Sequence, residues 1–161
     1  MKLAWFSTAA IVATAIGGAI AANDSGVPYP EGYRGWQHVK SMIIQEGHPL
    51  YGSFGGIHHL YANDKAMEGY RTGKFPDGAV IVFDLLEAAA ADNAITEGKR
   101  KLIGVMYRDS TKYASTGGWG FEGFAGDSRT ERLVKDQAAT ACFGCHTAQR
   151  EQSFVFSKYR N

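Results

Sequence analysis

The chain has 161 residues, with 17 Lys and Arg against 16 Asp and Glu, and 45% of its residues are hydrophobic. That length suits one domain with a sizeable core. The near-neutral balance, without a basic run, excludes a surface made to neutralise nucleic-acid phosphates.

In chain order the first signal is export. Lys2 is the only charge before Asp24, and an Ala/Ile/Val/Leu-rich run fills Leu3 to Ala22. A positive start, an apolar middle and the small-residue pattern Ala19-Ile20-Ala21 read as a secretory signal cleaved after Ala21, with the bond after Ala22 as the alternative. The run is long enough to span a membrane, but its Ala, Gly and Thr content argues against an uncleaved anchor. The expected organisation is a signal peptide over 1–21 and a single domain over 22–161. Loss of Lys2 leaves 16 basic against 16 acidic residues. Export points to the periplasm, where two cysteines have the chance to form a disulfide.

Trp36 to Ile44 fits either helix or strand. His58 and His59 are neighbours in an extended segment, so their side chains point to opposite faces and at most one faces any given site. Asn63 to Arg71 reads as a short helix capped by Asn63 or Asp64 and stopped near Gly73, with Met67 as a core contact. Phe75-Pro76-Asp77-Gly78 is a turn into a buried strand over Gly78 to Leu86. Glu87 to Asn93 reads as a strand end and an exposed connection, and Lys101 to Arg108 as the next strand. Gly117 to Phe124 alternates aromatic and small residues, which suits a strand packed against something flat. A helix over Arg132 to Cys142 follows from its spacing. The fold class is therefore mainly β (α+β), an antiparallel sheet with a few short helices. The 20 glycines and the β-branched runs argue against a four-helix bundle.

Near the C-terminus, Cys142-Phe143-Gly144-Cys145-His146 is a C-x-x-C-H motif, the attachment signature of c-type haem. Two thiols at this spacing reach the two vinyl groups of one porphyrin, and the next histidine is held beneath the iron. The motif occurs once, so one haem c is expected, attached through two thioethers at Cys142 and Cys145 with His146 as the metal ligand. A thioredoxin-like dithiol would be expected near the N-terminal part of its domain, and a structural zinc would need a second ligand pair. Side chains available for the other face of the iron are His38, His48, His58, His59, Met42, Met67 and Met106. Met42 and Met106, in apolar or alternating runs, read as core residues.

These residues together resemble the cytochrome P-460 family, and most closely its gas-binding branch, cytochrome c′-β. The resemblance rests on Tyr29-Pro30-Glu31-Gly32-Tyr33-Arg34, Tyr61-Ala62-Asn63, Phe75-Pro76-Asp77-Gly78-Ala79-Val80-Ile81-Val82 and the closing Cys142 to His146. It implies a homodimer on an antiparallel β-fold with five-coordinate iron. The hydroxylamine-oxidising branch carries a lysine bonded to the porphyrin, whose place Phe83 takes here, and a distal arginine, whose place Ile57 takes when the preceding distal phenylalanine is matched to Phe54. The resemblance thus implies an apolar cap of Phe54 and Phe83 over the iron, suited to nitric oxide or carbon monoxide. It points to a periplasmic gas-binding cytochrome, a nitric oxide scavenger or carrier, rather than to an enzyme. The alternative is a hydroxylamine- or nitric oxide-oxidising enzyme with Lys74 as an unusual cross-linking donor. A small electron-transfer partner is compatible with either. The carboxylates Asp84, Glu87, Asp109 and Glu122 are expected at solvated strand ends.

Overall fold

Five strands form one antiparallel sheet in the order β1-β2-β3-β4-β5, each paired with its neighbour in sequence. They are β1 (Gln37–Ile44), β2 (Gly56–Ala62), β3 (Val80–Ala91), β4 (Ala94–Arg108) and β5 (Trp119–Ala125). The computed structural model describes residues 25–160, so the signal segment expected over 1–21 and both of its cleavage points lie outside the described residues. The helices are short: α1 (Tyr51–Phe54), α2 (Asp64–Thr72) and α3 (Gly144–His146), with 3₁₀ turns before β1 and between β4 and β5 and further 3₁₀ and π turns after β5. The mainly β antiparallel architecture expected from the sequence is the one found.

Alternation along each strand divides the side chains between two faces. One face packs Ala62, Ile81, Trp119 and Phe121 against Ala66 and Met67 of α2 and against Val155. The other packs Val80, Val82, Ile103, Val105 and Phe124 beneath Val27 and Tyr33 from the N-terminal segment. Both faces of the sheet are thus covered at the start of β3, which is why Val80 to Leu86 is apolar apart from Asp84.

The α2 helix sits where its caps predict. The Asn63 side-chain oxygen accepts from the Ala66 N–H at 2.9 Å and from the Val80 N–H at 3.0 Å. One side chain therefore caps the helix and ties it to β3. Gly73 closes it at φ 76°, a left-handed conformation that glycine adopts without steric cost.

Three expectations change. Trp36 to Ile44 resolves as strand β1, and Met42 on it is exposed rather than in the core. Glu87 to Ala91 is not a connection but the last part of β3, and only Asp92 and Asn93 turn, at φ 51° and 61°. Asp and Asn tolerate the left-handed region that a two-residue hairpin needs, so pairing continues to Ala91↔Ala94 despite the weak strand preference of alanine. The third change concerns the C-terminal helix, which starts at Lys135 rather than Arg132. The residues before it run along the edge of β5, where the Ala125 N–H donates to Glu131 O and the Leu133 N–H to Gly123 O. The Glu122 carboxylate then accepts the Val134 and Lys135 N–H groups, at 2.9 and 3.3 Å. A buried acid thus caps the start of the helical run from outside it.

Candidate functional site

From Lys135 the backbone winds as one 3₁₀ turn, a wide π turn over Ala138–Phe143, the α3 turn Gly144–His146 and a 3₁₀ stretch over Thr147–Gln152. Helical spacing brings residues i, i+3 and i+4 to one side, so Cys142, Cys145 and His146 share a face. The two thiols are not bonded to each other. Burial pushes the Cys142 thiol up to about 11, with Glu122 and Cys145 adding to the shift. That is opposite to the depressed thiol of a dithiol oxidoreductase. Among the described residues, no group of three or more His, Cys, Asp or Glu is arranged to hold a metal ion.

His146 is oriented by three neighbours. Its Nδ1 lies 2.7 Å from the Phe154 carbonyl. A carbonyl only accepts, so Nδ1 carries the proton and Nε2 keeps its lone pair. The ring centroids of Phe121 and Phe156 each lie 5.0 Å from that of the imidazole. Burial lowers the pKa of this imidazole, and the bond to Phe154 opposes the shift without reversing it. A neutral imidazole with its second nitrogen fixed by a backbone acceptor is the usual form of a metal-ligating histidine.

The Phe154 carbonyl is aimed by a strained turn. Ser153 and Phe154 have φ of 55° and 65°, a conformation that costs a non-glycine residue on the order of 1–3 kcal/mol. The Trp119 indole N–H donates to Ser153 O at 2.8 Å, and the Ser153 hydroxyl donates to Gly73 O at 2.9 Å. The core of the sheet therefore holds the turn that holds the histidine.

On the sheet face that carries Phe121, register places Met106 beside it, and Gly104 and Phe83 one row on. These three, with Leu60 and Leu102, are only half-buried, whereas Val82, Ile103 and Val105 on the opposite face are buried. Leu133 and Phe156, 49% and 55% exposed, border the same region. An apolar strip beside a neutral imidazole and two thiols fits a flat, largely hydrophobic macrocycle. Gly104 keeps the strip low, since a Cβ there would meet the Phe83 Cβ at 3.4 Å.

Phe54 on α1 and Phe83 on β3 meet edge to face, with ring centroids 5.6 Å apart. The two aromatics expected to act together are thus brought together, although nothing in the sequence marked α1. His58 and His59 point to opposite faces. His58 stacks on Phe83 at 4.4 Å. His59 faces away, with Nδ1 2.6 Å from the Ser41 hydroxyl and Nε2 2.7 Å from Glu97. Ile57 shares the face of His59, so the pocket-side residue at this point of β2 is His58. His38 pairs with Ser41, His48 accepts from the Leu50 N–H, and Met67, on α2, is buried in the core.

Two of the four carboxylates depart from the solvated positions expected of them. Asp84 is fully buried and Glu122 nearly so, both directed away from the strip. Asp84 accepts from Tyr33 at 2.8 Å and from Arg100 at 2.7 Å. Burial alone would raise the Glu122 carboxyl, but bonds from Ser25, Gly123, Val134 and Lys135 outweigh it and hold it below the usual range. Asp109 caps its own turn through the Thr111 and Lys112 N–H groups, and Glu87 is exposed. Charged groups were hidden because the N-terminal segment and the helical run bring their partners from far along the chain.

His58 gives the protein an acid-sensitive element. Burial, with smaller contributions from His59 and Lys40, lowers its pKa from 6.5 to about 4. Between those values the unfolded chain binds a proton that the folded one refuses, so stability falls as pH drops from 6.5 towards 4. The loss reaches at most about 3 kcal/mol. Denaturant midpoints measured at pH 7 and pH 4.5 should fall further in the native protein than in His58→Leu. Equal falls in the two proteins would refute this.

A C-x-x-C-H turn carrying a neutral, backbone-anchored histidine beside an apolar strip defines a haem-binding cytochrome on an antiparallel sheet. The family model described as cytochrome P460 matches residues 30–157, and the chain belongs to the cytochrome P460 family. No curated protein matches the chain.

Proposed function

We propose that this chain is an exported, periplasmic c-type cytochrome of the gas-binding branch, cytochrome c′-β. Cys142 and Cys145 hold one haem through two thioethers, and His146 binds its iron through Nε2. When bound, the haem would supply a Lewis-acidic iron able to take a small diatomic ligand. Phe54 and Phe83 would wall the ligand site and exclude water from it. Nitric oxide and carbon monoxide, small and neutral, lose little under such a lid.

The observation that carries this reading is the edge-to-face pair of Phe54 and Phe83, on the sheet face whose Phe121 touches His146. The resemblance also puts Phe83 at the strand position where the oxidising enzymes would carry their cross-linking lysine. A second copy of the chain is the expected partner, and exposed Met42, Ile43, Leu50 and Tyr51 offer it apolar surface. Scavenging or carrying nitric oxide is the role this chemistry serves best.

The test is an absorption spectrum of the purified, reduced holoprotein with and without nitric oxide and carbon monoxide. The expected result is a high-spin, five-coordinate spectrum that changes with either gas. A low-spin spectrum in the ligand-free protein would exclude the reading. A strongly red-shifted ferrous Soret band, with Lys74 in the haem peptide, would favour the oxidising enzyme instead.

A further inference from the structure

His58 is 5% exposed, and its Nδ1 is buried without a hydrogen-bond partner. Buried polar atoms in folded proteins almost always have a partner, and leaving one unpaired costs about 1–3 kcal/mol. The neighbours that could have satisfied this atom are committed elsewhere or chemically unsuited. His59 lies on the other face with Ser41 and Glu97. Phe83 offers only a ring, stacked at 4.4 Å and tilted by 32°. Leu85, paired with His58 on β3, is apolar, and Met42, paired with it on β1, has only a thioether, a weak acceptor. A packing residue at this position would more naturally be leucine or phenylalanine, like the residues around it.

We propose that His58 is the polar member of the ligand pocket, hydrogen-bonding the outer atom of a small molecule held on the iron beneath Phe54 and Phe83. This rests on the gas-binding reading above and alters it in one respect. The pocket is not purely apolar, so a ligand with negative charge on its outer atom is held more tightly than aromatic walls alone would allow. Phe54 and Phe83 set the size of the ligand, and His58 sets its preferred charge.

The experiment uses the full holoprotein as native, His58→Leu and His58→Gln. Two probes are read: the C–O stretching frequency of the ferrous carbon monoxide complex, and azide affinity for the ferric protein. A donor near the bound oxygen lowers the C–O frequency, so His58→Leu should raise it and weaken azide binding about five- to tenfold, as loss of one net hydrogen bond implies. His58→Gln keeps a donor and should retain most of both signals, which also covers the case in which the leucine variant folds poorly. An unchanged frequency and azide affinity in both variants would overturn the proposal while leaving gas binding intact. A native protein that is six-coordinate, and becomes five-coordinate only when His58 is replaced, would make His58 an iron ligand and overturn both.

Discussion

Asp84→Ala is expected to cost the fold roughly 3–5 kcal/mol, the penalty for stranding a buried charge whose partner has been removed. Arg100 donates to Asp84 through Nε at 2.7 Å and has only 14% of its side chain exposed. Tyr33 donates its hydroxyl to the same carboxylate at 2.8 Å, and burial together with that bond holds the hydroxyl proton firmly in place. Without Asp84, Arg100 keeps only the exposed Asp127, a surface pairing worth little, and the Tyr33 hydroxyl loses its acceptor. The Arg34 contact at 3.7 Å comes from a half-exposed side chain and adds little. Urea unfolding of the purified variant measures the cost, and a loss below about 1 kcal/mol would mean that the network contributes little. The double variant Asp84→Leu/Arg100→Met should recover part of the lost stability, because an apolar pair of similar volume leaves no stranded charge, while the Tyr33 hydroxyl still lacks its acceptor. Since Asp84 points away from the strip beside His146, the haem spectrum of the folded variants should not change.

The same residue shows what the sequence concealed. Asp84 follows Val80 to Phe83 in a run that its β-branched residues assign to a buried strand, yet the acid was expected at a solvated strand end. Its partners explain the difference: Tyr33 lies 51 positions away and Arg100 lies 16 away across the β3–β4 hairpin. No local pattern encodes a pairing of that range. Local signals were legible wherever the chemistry is local. Asn63 or Asp64 at the start and Gly73 at the end marked the bounds of α2, and the five residues from Cys142 to His146 form a motif complete in itself. The alternation rule correctly separated His58 from His59, but it offered no means of deciding which of them faces the site. The anchoring of His146 was not legible at all. Phe154 presents its carbonyl only because a left-handed turn, held by Trp119 and Gly73, reverses the chain behind the motif, and neither Ser153 nor Phe154 is a residue type that announces such a turn.

That anchoring makes the consequence of losing His146 specific. In His146→Ala, Cys142 and Cys145 still carry the thioethers proposed for them, so the haem should remain on the chain in a denaturing gel while the absorption spectrum loses its histidine-ligated form. The substitution leaves a slot shaped for an imidazole. The centroids of Phe121 and Phe156 each lie 5.0 Å from that of the native imidazole, and the Phe154 carbonyl, 2.7 Å from the native Nδ1, is left as an unpaired acceptor. Imidazole added to the variant can fill the vacated space, donate to Phe154 and offer its second nitrogen to the iron, and the native spectrum should return as its concentration rises. An imidazole-induced spectrum no different from that of free haem plus imidazole would show that the iron does not sit over this slot. The paired variant Cys142→Ala/Cys145→Ala should behave in the opposite way. His146, still bonded to Phe154, can ligate haem in the folded protein, but denaturation should release all of it. Retention after denaturation in the alanine variant, and release in the cysteine variant, would separate two functions that the sequence places within five residues: covalent capture by the thiols, and presentation of a nitrogen to the iron by a turn built elsewhere in the fold.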